Sequence, residues 1–295
     1  MAQTLETLSR QMASMQGIRN IVHTMKTLSV INSAPYEHAA KSIEAYHQTV
    51  LEGLHAFLTK CGPLNVASSA IATRVMVVFG SDHGLCGNYN EILAADVAAH
   101  LHSHSEDAMT ILCVGAQMAE ALADQGIAAI DTFFPPASVD GIERLANLLT
   151  RHLDDIRHKV HPSEIAVSLA YFARDAFHSQ KPKITALLPL DPFQLRSLED
   201  QPWKSRSLPF FSMSPDDLLM ALIRSHLFTN IFRAAAEALT TENAARLALM
   251  QQAERAVDDR LEQLTSDTHA VRQNEITTEL LDVIIGFEAL KKRKT

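Results

Sequence analysis

The sequence predicts an α/β protein with long helices: an antiparallel coiled coil of its N- and C-terminal helices, with a small α/β domain between them in the chain. Three observations predict it. From Asp216 to Leu290 there is no proline and the only glycine is Gly286, so one helix at ~1.5 Å per residue would extend for about 110 Å. The first residues carry a matching apolar seam. Between the two, short apolar runs alternate with helical patterns over the range 73–190.

In the N-terminal helix, Leu5, Leu8, Met12, Met15, Ile18, Val22, Met25 and Leu28 are spaced 3, 4, 3, 3, 4, 3 and 3 apart, close to a heptad seam. A break is expected near 32–35, because Pro35 removes a backbone donor and crowds the preceding turn. Ile43, Val50, Leu54 and Phe57 resume the stripe until Cys61-Gly62-Pro63 stops it. The N-terminal helix is therefore placed at 1–62, with a linker at 65–70.

Val75 to Phe79 is continuously apolar, as a strand buried on both faces would be. Gly80 to Gly87 follows as a loop and Tyr89 to about Leu101 as a helix. Met109 to Val114, Ala128 to Asp131, Ile165 to Phe172 and Ile184 to Pro189 read as further strands, and Gln117 to Asp124 and Ile142 to Lys159 as helices. A largely parallel sheet is expected. Residues 191–212, with Pro192, Pro202 and Pro209, read as an irregular connection to the long C-terminal helix at 213–292. There Val257, Leu261, Leu264 and Val271 keep a 4–3 spacing with Thr268 in the gap. The seam then shifts phase to Ile276, Leu280, Val283 and Phe287.

The chain has 295 residues, 47% of them hydrophobic, and a net charge of −8, which argues against nucleic-acid binding. The one dense basic run, Lys291 to Lys294, suits a helix end. Cys61, Cys86 and Cys113 are odd in number and far apart, suggesting a reducing compartment without disulfides or a cysteine zinc site. No apolar run approaches 18 residues, so no membrane span is expected, and the N-terminus reads as neither a signal nor a transit peptide.

Gly84-Leu85-Cys86-Gly87 stands between a strand and a helix, where phosphate loops stand. It lacks both the three-glycine dinucleotide pattern and the Lys-Ser/Thr pair of a phosphate loop. Gly84, Cys86 and Gly87 therefore read better as a tight structural turn. Cys86 as a nucleophile and His100, His102 and His104 as metal ligands are the weaker readings. No catalytic constellation emerges, and no cofactor or metal is expected.

Ala238-Leu-Thr-Thr-Glu-Asn-Ala-Ala-Arg-Leu-Ala-Leu-Met250, followed 22 residues later by Arg272-Gln-Asn-Glu-Ile-Thr-Thr-Glu279, resembles the C-terminal signature of the gamma subunit of F-type ATP synthases. Ser81-Asp82 with Gly84-Leu-Cys-Gly87 and Asn90 resembles that family's turn motif, and Ile21 to Ser29, containing Met25-Lys26, its N-terminal motif. The resemblance covers the whole chain. It implies a coiled coil with a Rossmann-like α/β domain, acting as the central rotor shaft that couples ion-driven rotation to conformational cycling of the catalytic β sites. No catalytic site is implied in this chain itself.

Implied partners are the α and β subunits, ε and the membrane c-ring, with no nucleic acid. The implied location is the cytoplasmic face of a bacterial inner membrane, as a peripheral protein. By the same resemblance, Met25, Lys26, Arg246, Arg272, Gln273, Thr277 and Glu279 match positions that contact β. The sequence departs from the family at 29–37, where its basic stretch is replaced by residues without Lys or Arg and with Pro35. His83 stands where the turn motif has Arg. These departures resemble a divergent bacterial form, with the alternate, sodium-associated class as the candidate subclass. Two other classes of function are a coiled-coil adaptor and a nucleotide- or metal-binding α/β protein, both unrelated to ATP synthase.

Overall fold

The computed structural model describes residues 4–63, 73–103, 109–159, 165–175, 179–203, 205–207 and 209–292, with backbone alone for 158–159 and 287–292. The linker read at 65–70, His104, and the side chains of Phe287 and of the 291–294 run lie outside that description. Eleven elements follow in order: α1 (Leu5–Cys61), β1 (Thr73–Phe79), α2 (Tyr89–Ser103), β2 (Met109–Val114), α3 (Ala116–Asp124), β3 (Asp131–Phe133), α4 (Val139–Lys159), β4 (Ile165–Arg174), β5 (Gln180–Leu188), α5 (Pro192–Glu199) and α6 (Pro215–Lys292). The chain divides into two compact units, Met1–Leu28 with Leu247–Thr295, and Ser29–Arg246.

In the first unit α1 and α6 pair antiparallel. Arg19 reaches Asp258 at 2.7 Å and His23 reaches Glu254 at 3.3 Å, so four residues forward on one helix is four back on the other. Leu8, Val22, Val257 and Leu264 are buried along the seam, and Thr268 Oγ1 lies 3.5 Å from Met12 Sδ. Ile18 and Leu28 stay exposed at 42% and 47%, because a single partner helix covers only part of a seam. The phase-shifted continuation is a different surface: Ile276, Leu280 and Val283 are 51%, 59% and 70% exposed and pack on nothing among the described residues.

In the second unit the strand order is β3-β2-β1-β4-β5. The pairs β1–β2, β1–β4 and β2–β3 are parallel, while β4–β5 is antiparallel with an irregularity between Val167 and Ser168. Side chains alternate between faces, and that period separates two cores. Val75, Val77 and Phe79 pack with α4 and α6, whereas Met76 and Val78 pack with α2 and α3. At ~1.5–3 kcal/mol for each large apolar side chain fully buried, β1 is the axis of the unit. Helix α4 joins through Ile142, Leu145, Leu149 and Leu153, one face of a 3.6-residue period.

Several boundaries differ from the sequence reading. Helix α1 runs without a restart across Pro35. The missing donor removes one helical bond, while Tyr36 and Ala39, buried in the α4/α6 core, hold the turn that follows it in place. The third strand lies at Asp131–Phe133 rather than 128–131, and its exposed first residues hide its pairing. Strand β5 begins four residues earlier than read, and includes Pro182. As an edge strand it tolerates a residue without a backbone donor. The connection at 191–212 contains α5, capped by Asp191, which accepts from the Phe193 amide at 2.9 Å. Aspartate followed by Pro192 at the first helical position was the available signal. Helix α6 starts the same way: Ser214 Oγ accepts from the Asp217 amide at 3.2 Å.

Candidate functional site

In open α/β sheets, ligands bind outside the carboxyl ends of the strands, where the strand order reverses. Here that point lies between β1 and β4, and the chain fills it with its own groups. Tyr89, at the start of α2, stacks on Phe172 near the end of β4 with ring centroids 4.4 Å apart. Its hydroxyl meets Thr241 Oγ1 and the Ala238 carbonyl oxygen, each at 3.1 Å. Burial raises the pKa of that phenol, which keeps it a neutral hydrogen-bonding group. Beside it, the cavity bounded by Phe79, Gly80, Val114, Ala235 and Leu239 measures about 10 Å³, against the roughly 300–1,000 Å³ of a small-molecule pocket. Among the described residues, side chains of α2, β4 and α6 occupy this crevice.

The turn after β1 is built around Ser81, fully buried. Its amide donates to Asn90 Oδ1 at 3.0 Å, Asn90 Nδ2 donates to its Oγ at 2.7 Å, and that Oγ donates to the His83 carbonyl at 3.0 Å. Asp82 Oδ1 accepts the Ala116 amide at 3.1 Å and so satisfies an orphan donor at the start of α3. Leu85 and Gly87 have φ of +65° and +67°, the left-handed region that glycine enters freely and leucine at a cost. The polar groups of this turn are engaged with one another, as a structural turn requires.

Burial also raises the thiol pKa of Cys86, and that of Cys113 to about 12, so neither supplies a thiolate near neutrality. Cys61 is exposed. Alkylation of the native chain at pH 8 is expected to modify Cys61 and to spare Cys86 and Cys113, as read by peptide mass spectrometry. Rapid labelling of Cys86 would overturn the structural reading of the turn.

The residues matched to β contacts fall into three settings. Arg246 is half-buried. It pairs with Glu242 one turn earlier, and its Nη2 stands 3.5 Å from the His83 carbonyl. Burial raises the Glu242 carboxyl above its usual range, and Arg246 is the main group opposing that rise. Arg246 thus ties α6 to the turn at 83, a role that a face-by-face reading of α6 missed together with Glu242, Tyr89 and Thr241. Lys26 donates to Glu254, whose carboxyl is held below its usual range by Lys26 and His23. Met25 is half-buried on the seam. In contrast, Arg272, Gln273, Thr277 and Glu279 are all exposed, in a run from 272 to 286 in which no side chain is buried.

Among the described residues no group of three or more His, Cys, Asp or Glu could hold a metal ion, and no helix is long and apolar enough to cross a membrane.

With the crevice filled from within, the long exposed helices are the dominant surface among the described residues, and the class this fits is an assembly subunit built on paired long helices. The chain belongs to the ATP synthase family, as a gamma chain: the family model, described as ATP synthase, matches residues 4–290. The ATP synthase gamma chain of Desulfosudis oleivorans is 25% identical, over 97% of this chain and 100% of that relative. That of Bdellovibrio bacteriovorus is 24% identical over 98% and 99%. A chain of the Euglena gracilis mitochondrial ATP synthase rotor shares the fold, with a TM-score of 0.61 at 16% identity, covering 92% of this chain and 98% of that one. The gamma chain is the central-stalk rotor and a non-catalytic subunit, and neither a nucleotide-binding enzyme nor an unrelated adaptor is favoured.

Proposed function

We propose that this gamma chain couples ion-driven rotation to the β catalytic sites chiefly through the upper part of α6. In this reading residues 1–62 and 213–292 form the shaft. Residues 73–190 are the part that meets ε and the c-ring, and 191–212 connect the two. The complex is an ion-transporting bacterial assembly, and the chain is peripheral at the cytoplasmic face of the inner membrane. The α and β subunits surround the shaft. A shaft acts on its partners only by contacts that differ between their conformations.

The observation that supports this best is the run 272–286, in which every residue is exposed and polar and apolar side chains are combined on one length of helix. Arg272 and Glu279 lie within ~20° of one another around the helix, while Gln273 and Thr277 occupy a neighbouring face. Two polar faces can address different β subunits at once. Lys26 and His23 are already engaged by Glu254 and have less to give a partner. Met25 contributes through the seam, and Arg246 acts indirectly by fixing the turn.

In reconstituted vesicles with checked stoichiometry, Arg272→Ala with Glu279→Ala is expected to lower ion-coupled ATP turnover roughly tenfold or more. A charge-assisted hydrogen bond is worth ~1.5–3 kcal/mol. His23→Ala with Lys26→Ala is expected to have the smaller effect. The reverse order would place the coupling contacts at the neck and sink the assignment. Failure of the chain to copurify with α and β subunits would sink the rotor reading as a whole.

A further inference from the structure

Within the Ser29–Arg246 unit, α1 and α6 bring two histidines together. His47 and His226 have ring centroids 5.7 Å apart with planes tilted by 38°, and they are 8% and 5% exposed. Neither ring nitrogen of His47 has a hydrogen-bond partner. The nitrogens of His226 are met only by the Asn230 amide at 3.4 Å, while that amide's shorter bond, 2.8 Å, goes to the His226 carbonyl. Two buried imidazoles thus face each other with almost nothing to accept or share a proton.

The charged groups around them are few. On α1, Glu44 stands 3.8 Å from His47 Nδ1. On α6, Arg233 pairs with that same Glu44 at 3.1 Å. Of the charged groups, Glu44 and Arg233 act on His47, and Arg233 acts on His226.

We propose that the His47–His226 contact is a proton-operated latch between α1 and α6. Neutral rings let the helices pack. Protonated rings place two positive charges beside Arg233, with only Glu44 to answer them, and the helices part at this level. The latch lies within the chain itself and does not depend on which residues address β.

Burial is the largest influence on both rings and lowers their pKa values, His226 to about 4, with His47 and Arg233 adding to the effect at His226. A folded pKa below the unfolded ~6.5 means that the folded state binds fewer protons, so stability rises with pH. The packed form is therefore fully stable above ~6.5 and loses stability as pH falls towards 4. Glu44 partly offsets burial and Arg233 at His47, while His47 and Arg233 both oppose a charge on His226, so two charged rings here repel.

The test uses the full-length chain with isotopically labelled histidines, followed by NMR from pH 8 to 4. His226 is expected to titrate below ~5. Hydrogen-exchange protection of 40–54 and 220–233, corrected for intrinsic exchange, is expected to fall roughly tenfold more than that of 165–174 between pH 7 and pH 5. In the His47→Gln/His226→Gln variant this selective loss should vanish. An ordinary midpoint near 6.5 for His226, or the same selective loss in the variant, overturns the latch. If the double variant does not fold, the titration of the unmodified chain decides by itself.

Discussion

Replacing Arg246 with alanine is expected to lower the unfolding free energy of the chain by about 3–5 kcal/mol, because it strands a buried carboxylate. Glu242 is 7% exposed, and Arg246 is the first group opposing the rise of its pKa. Its loss also frees α6 from the carbonyl of His83. Denaturant unfolding of the isolated chain measures this without α or β present. The paired variant Glu242→Leu/Arg246→Leu should lose less than Arg246→Ala alone, since two apolar groups leave no unpaired charge. If Arg246→Ala leaves the chain's stability unchanged and impairs only assembly, then Arg246 is an interface residue and its internal pairing has no energetic consequence.

Gly115→Ala is expected to cost about 3 kcal/mol or more. Gly115 has φ of +106°, and an added Cβ would lie 2.4 Å from the carbonyl oxygen of Ser81. The backbone conformation alone costs a residue with a side chain of order 1–3 kcal/mol. The clash adds to it, because the atom met is backbone and cannot swing aside. Moving it would pull apart the bonds from the Gly115 amide to the Phe133 carbonyl at 2.8 Å and from the Met118 amide to the Ser81 carbonyl at 3.3 Å. Thermal unfolding should show a lower midpoint for Gly115→Ala, while Gly84→Ala, whose Cβ would meet nothing within 4 Å, should fall near the unsubstituted chain. Equal midpoints would mean that this junction relaxes freely.

The elements most legible in the sequence were those whose pattern is enforced by burial. Residues 75–79 and 109–114 are buried on both faces or nearly so, and their apolar runs mark β1 and β2 closely. The seam of α6 was legible because burial enforces it: Val257 and Leu264 are buried, Leu261 and Thr268 half-buried, and Thr268 meets Met12 of the partner helix. Where burial is slight the pattern gave way. Asp131 and Thr132 of β3 are exposed, and nothing in their side chains marks the three residues that pair with β2. Proline misled at Pro35, because its penalty is local while helix packing is not.

For the candidate site, the motif residues were legible and their settings were not. Arg246, Lys26 and Arg272 look alike in a helical sequence as charged residues on a polar face. Their difference lies in what stands opposite: Glu242 and the turn for Arg246, Glu254 for Lys26. Arg272 lies in the exposed run. Glu254 and Lys26 are separated by 228 residues, and the His47–His226 contact joins helices from opposite ends of the chain.

By itself the sequence determined most of the element types, the antiparallel seam and the family, because periodicity and motifs are written in local order. The tertiary structure alone decided which charges are spent inside the chain, that α6 occupies the crevice where a nucleotide would sit, and that two histidines share one buried space. Each of these depends on which distant side chain arrives opposite, and the energies of buried charges and rings are set by that neighbour.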